Sequence, residues 1–103
     1  MMAMEITLDK DKIYSENTMD FKQMEYRINE ILKENGITEK NEQGLFIGNN
    51  DEQDFARFLK IIDRLEEQEK FLQYVETWIF YKDDEKADLG MHYRQKRYTQ
   101  DMQ

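Results

Sequence analysis

The sequence predicts an α+β domain, mostly α, with two to three helices and a small two- or three-stranded antiparallel β element. Three observations lead there. Apolar residues recur at helical steps of three and four along two long stretches. Short β-prone pieces stand near the start and between two glycines. No proline anywhere forces a helix to break. At 103 residues the chain fits one domain. Hydrophobic residues at 39% and aromatics at 13% supply a modest core, and the aromatics argue against wholesale disorder despite 37% charged residues.

Taken in order, Glu5-Ile6-Thr7-Leu8 and Ile13-Tyr14 are β-prone around the polar Asp9-Lys10-Asp11-Lys12, which reads as a hairpin or an edge strand. Asn17 or Thr18 caps a helix over about residues 18–35, whose apolar face is Phe21, Met24, Ile28, Ile31 and Leu32. Asn35-Gly36 ends it, because glycine accepts the left-handed conformation of a helix C-terminus, and Ile37 can fold back onto the last turn. Gly44-Leu45-Phe46-Ile47-Gly48 is too short for a helix and reads as a strand paired with residues 5–8. Asn49-Asn50-Asp51 then opens a second helical stretch, with Asp51, Glu52 and Asp54 suited to a helix N-terminus. Phe55, Phe58, Leu59, Ile62 and Leu65 form one apolar face; Phe71, Leu72, Val75, Trp78 and Ile79 resume it after Glu66-Glu67-Gln68-Glu69-Lys70. Either one helix runs from about 51 to 82, or two meet near 66–70; good helix formers at the junction favour continuity or a slight bend.

The formal charge is −8, unevenly spread. Residues 1–90 form an acidic α-rich domain with 22 acidic and 12 basic side chains. Residues 91–103 read as a basic, aromatic C-terminal tail, with Arg94, Lys96 and Arg97 against Asp101. An acidic body repels phosphate backbones and attracts basic surfaces. That disfavours direct nucleic-acid binding except through the tail, where His92-Tyr93-Arg94-Gln95-Lys96-Arg97-Tyr98 interleaves cations with rings that can stack on bases. The plain alternative is that the charge serves solubility.

Several chemistries lack their residues. With no cysteine there is no disulfide framework, thiol nucleophile or thiolate site. His92 is the sole histidine and has no partner for a multi-ligand zinc site. Asp9-Lys10-Asp11 opens like a calcium loop, but Tyr14 stands where its glycine belongs and Asp20 where its glutamate belongs. Asp84-Glu85-Lys86 matches a nuclease fragment only formally, and Gly44 and Gly48 precede no Lys-Ser or Lys-Thr. No transmembrane-length apolar run and no secretory leader are read. The expectation is a cytoplasmic protein that is not an enzyme and uses no metal or cofactor.

Binding residues are read from charge and aromaticity. Glu66, Glu67 and Glu69 form one acidic cluster; Asp83, Asp84, Glu85 and Asp88 form another. Tyr74 and Tyr81 stand near them as anchors for a protein partner, while Trp78 reads as core. Lys/Glu/Asn/Ile-rich usage, the lack of Cys and Pro, and segments such as Asn49-Asn50-Asp51-Glu52 and Trp78-Ile79-Phe80-Tyr81-Lys82-Asp83-Asp84 give the chain a family character. It resembles small acidic accessory proteins of mobile elements in low-GC Gram-positive bacteria, and is most similar to type II-A anti-CRISPR proteins. That resemblance implies a non-enzymatic inhibitor of a basic, nucleic-acid-handling protein such as a type II CRISPR effector nuclease, blocking guide or target nucleic acid. No family site residue carries over. Two other readings stay open: an antitoxin or immunity protein neutralising a basic toxin, and an RNA-binding accessory protein using the tail.

Overall fold

The computed structural model describes residues 1–16 and 20–101. Its centre is an antiparallel ladder between β1 (Met2–Leu8) and β4 (Val75–Lys82), running from Met2 opposite Lys82 to Leu8 opposite Val75. With β2 (Glu39–Lys40), β3 (Phe46–Ile47) and β5 (Glu85–Asp88) they make a five-stranded antiparallel sheet in the order β2-β3-β1-β4-β5. Five helices accompany it: α1 (Lys10–Glu16), α2 (Phe21–Glu34), α3 (Asp54–Glu66), α4 (Glu69–Tyr74) and α5 (Leu89–Asp101). This corrects the expectation of two to three helices with a minor β element. The class is α+β, but the sheet organises it.

The largest correction falls on residues 75–82. Val75, Trp78 and Ile79 fit helical spacing, yet the segment is rich in β-branched and aromatic residues and is extended. Trp78 and Phe80 point into the core, while Thr77, Ile79 and Tyr81 point to the other face and are only half-buried. Glu76 is the extra residue of a bulge where the register shifts between Thr7 and Leu8, and it stays exposed. The acidic junction also breaks: α3 ends at Glu66, and Gln68 is extended at φ −85°, ψ 102° before α4 begins.

The first half follows the sequence more closely. Residues 17–19, and with them the expected Asn17 or Thr18 cap, lie outside the described residues; the cap seen on α2 is Asp20, whose carboxylate accepts from the Lys22 amide. Met24, Ile28, Ile31 and Leu32 are buried as expected. Gly36, at φ +85°, donates to the Lys33 carbonyl and Ile37 donates to that of Leu32, so the helix closes in a Schellman motif with Ile37 buried behind it. Strand β3 pairs with β1 at Ala3 and Met4, not along residues 5–8. Ile13-Tyr14 lies in α1, not in a strand. The Asp9 carboxylate accepts from the Lys12 amide and starts that helix, and Ile13 is fully buried.

The segment read as a tail is mostly α5. The Asp88 carboxylate accepts from the Met91 amide at the helix start, and Tyr93 stacks on Trp78 with ring centroids 5.3 Å apart. The side chains of Lys96, Arg97 and Tyr98 lie outside the described residues.

The core is one cluster on one side of the sheet. Met4, Leu8, Trp78 and Phe80 meet Ile13 of α1, Ile28 and Ile31 of α2, Phe58 and Ile61 of α3, and Phe71 of α4. Trp78 is fully buried, with Phe71 edge-on at 4.9 Å, Tyr93 stacked behind it, and its indole N–H donating to the Met4 sulfur at 3.4 Å. Phe55 and Leu59, expected on the buried face of α3, are exposed at its rim. Replacing Trp78 by Ala empties the point where β1, α4 and α5 converge. Trp78→Ala is expected to cost about 3–5 kcal/mol, read as a large drop in Tm by thermal denaturation.

Candidate functional site

The two acidic clusters lie on different elements. Glu66, Glu67 and Glu69 sit at the α3–α4 junction, before β4 begins, whereas Asp83, Asp84 and Glu85 sit past its far end. Helix α4 and strand β4 intervene. Burial raises the Tyr93 pKa and the nearby Glu66 charge adds to it, so Glu66 lies close to a ring that stacks on Trp78 midway along β4.

The far cluster is joined instead by the loop before α3. Met1, Met2, Asn50, Asp51, Glu52, Asp54 and Asp83 line a shallow cleft of ≈ 350 Å³. Local chemistry shapes that loop. Asp54 is buried, and its carboxylate accepts from the Asn49 amide at 2.9 Å, the Asn50 amide at 2.7 Å and Arg57 Nη1 at 3.0 Å. The same Arg57 nitrogen reaches Asp51 at 2.6 Å. Gly48 is required for space: a Cβ there would lie 2.5 Å from Asp54 Oδ2. Asn50 takes φ +65°, a conformation that asparagine tolerates better than most residues.

Charge on this end is partly offset. Burial pushes the Asp54 pKa up, but the Asn49 and Asn50 amides and Arg57 outweigh it and hold the carboxyl below the usual range. Asp51 is also lowered, chiefly by its hydrogen bond from Arg57. Asp83 stands in the tight β4–β5 hairpin at φ +54°, with its carboxylate 2.8 Å from the Met1 amine, which lowers its pKa. Among the described residues no ion pair holds Glu52, Asp84 or Glu85. These three exposed carboxylates are the part of the end free to meet a guanidinium or an ammonium.

The other expected binding residues fare differently. Tyr74 is fully buried, with its hydroxyl accepting from Gln73 Nε2 at 3.3 Å, so it is a core residue and not a surface anchor. Tyr81 lies half-buried on the open sheet face, and its hydroxyl donates to Glu5 at 2.8 Å; that bond, with burial and the Glu5 charge, raises its pKa. Asp88 is occupied in starting α5. Glu66 is half-buried, Glu67 closes α3, and Glu69 lies in the first turn of α4. The sequence marks Asp51 and Asp54 as residues of a helix N-terminus, and the i, i+3 spacing of Asp54 and Arg57 is the signal it carries for their pairing. His92 is exposed, and among the described residues no group of three or more His, Asp or Glu gathers closely enough to hold a metal ion.

No known family, characterised protein or solved structure matches this chain. Among the described residues no helix is long and apolar enough to cross a membrane.

The Asp54 network makes a prediction about stability. Asp54→Asn places an amide N–H₂ or a weaker acceptor against two backbone N–H groups and Arg57, and is expected to cost about 1–3 kcal/mol. Gly48→Ala should cost a similar amount, because it displaces the same carboxylate. With a folded pKa below the unfolded one, Asp54 gives its full contribution above about pH 4, and the contribution fades as pH falls through the folded value. Urea melts at pH 7 and pH 3 check this: the gap between the parent and Asp54→Asn should narrow at pH 3.

Proposed function

We propose that this chain is a non-enzymatic binding protein that docks on a basic surface of a nucleic-acid-handling protein in the cytoplasm and blocks guide or target nucleic acid there. The observation that carries the reading is the gathering of Asp51, Glu52, Asp54 and Asp83 around one cleft, with Asp84 and Glu85 adjoining in the hairpin. Two segments distant in sequence place carboxylates at one end of the sheet, on a chain of net charge −8. Such a patch attracts a Lys/Arg-lined groove at long range and competes with phosphate for it. The resemblance in sequence character makes a type II CRISPR effector nuclease the concrete partner to try.

Pulldown with that effector at low salt, with and without guide RNA, tests the partner; no binding in either condition rejects it. The location is tested by charge reversal. Glu52→Lys, Asp84→Lys and Glu85→Lys together should weaken binding by about tenfold or more, since each attraction becomes a repulsion. Glu66→Lys with Glu67→Lys, which do not line that cleft, should change it less than about twofold. Raising the salt should weaken the parent complex, because these charges are solvent-exposed. Equal affinities for the two reversals would reject the carboxylate end as the binding surface.

A further inference from the structure

The central strand β1 is paired along its whole length on one side only. Toward β4 the ladder is continuous, but toward β3 it stops at Met4 opposite Phe46. The Gly48 amide donates to the Met2 carbonyl, which places the even-numbered residues of β1 with their N–H and C=O toward β3. The Asp83 amide donating to the Met1 carbonyl places the odd-numbered ones toward β4. Alternation therefore turns the N–H and C=O of Ile6, and of Leu8 beyond it, to the side β3 has left. Extending the register would put Gly44 opposite Ile6, but Gly44 is at φ +83° in the Asn41–Gly44 turn, which carries the chain away toward β2. Among the described residues no strand pairs with that edge.

A cleft lies where the missing strand would run. Its volume is ≈ 230 Å³, with Ile6 and Leu8 on one wall, Phe21 and Ile28 of α2 on the other, and Phe46 at the end of β3. A second depression of ≈ 430 Å³ shares Asn29, Lys40 and Phe46 with it and continues toward Lys33. In a strongly acidic protein this cleft has a cationic rim: Lys10, Lys33 and Lys40 line the two depressions against the single carboxylate of Glu25. Lys40 Nζ lies 4.5 Å from the Phe46 ring centroid and Lys10 Nζ 5.3 Å from that of Phe21, so both ammonium groups stand over the apolar lining. Among the described residues none of the three lysines is in an ion pair.

The geometry points to this cleft as a β-augmentation site for an extended acidic peptide, which adds as a short strand beside Ile6–Leu8. The free backbone groups supply the ladder, an apolar side chain enters between Phe21, Ile28 and Phe46, and flanking carboxylates meet Lys10 and Lys40. The site is separate from the carboxylate end of the sheet and takes a ligand of opposite charge, so it stands or falls independently of the proposed function.

The test uses a fluorescein-labelled eight-residue peptide with Val-Tyr-Val at its centre and Glu at the flanking positions. Fluorescence polarisation with the full chain should show saturable binding, and hydrogen exchange should show the Ile6 amide slowed at least tenfold by the peptide. Lys10→Glu with Lys40→Glu should weaken binding at least tenfold without changing the fold by circular dichroism. N-methylation of the peptide's central amides, which leaves the protein untouched, should weaken binding by the same order. Failure of the acidic peptide to bind, or unchanged exchange at Ile6, overturns the proposal. So does equal binding of the N-methylated peptide, which would indicate anion capture without a strand, or equal binding of a Lys-flanked peptide.

Discussion

Pairing of β1 with β4 joins the first strand to one nearly seventy residues further along the chain, and the rest of the structure is arranged around it. Leu8 faces Val75, so the ladder closes a loop holding α1 through α4, β2 and β3. Closing a loop that long costs on the order of 4 kcal/mol of chain entropy beyond a constant, which local hydrogen bonds alone do not easily offset. Burial on the inner face supplies the difference: Met4, Trp78 and Phe80 leave water together when the strands meet. Ile13, Ile31, Phe58 and Phe71 come from four helices that pack on one another and join the sheet's inner face in one cluster.

The same ladder decides where charge resides. A helix over residues 51–82 would have carried the acidic residues around one rod, whereas the break after α3 and an extended β4 put Glu66–Glu69 and Asp83–Glu85 on different elements. The hairpin then brings Asp83 beside the loop that starts α3, a juxtaposition that depends on the sheet and not on proximity in sequence. Counter-charges temper the result. Arg57 neutralises the buried part of the cluster, and the exposed part is left to the solvent and to whatever approaches.

What was legible in the sequence was local. The end of α2 was readable because Asn35-Gly36-Ile37 completes its motif within a few residues, and Trp78 was readable as core from its size and apolar neighbours. The strand at 75–82 was not, because its outer face also carries Ile79 and Tyr81. With both faces partly apolar, the alternation blurs and Val75, Trp78 and Ile79 mimic a helical stripe. Ile13-Tyr14 misled for the opposite reason: their β preference is weaker than a capped start at Asp9 and a core position waiting for Ile13. The role of Asp54 was hidden because it looked like an ordinary first-turn acid. Only folding of the Gly48–Asp51 loop over it shows why it is buried.

The placement of Trp78 has a practical consequence for following this protein in solution. It is the only tryptophan in the chain, and it is enclosed by a methionine sulfur from the first strand, a phenylalanine from α4 and a tyrosine from α5. A single indole in an asymmetric, dry environment gives one emission, excitable apart from that of the tyrosines, that depends on all three neighbours. Separation of any one of them from β4 exposes the indole to a different medium. Intrinsic fluorescence therefore reads the closure of the sheet and the docking of its last helix together, without an added label.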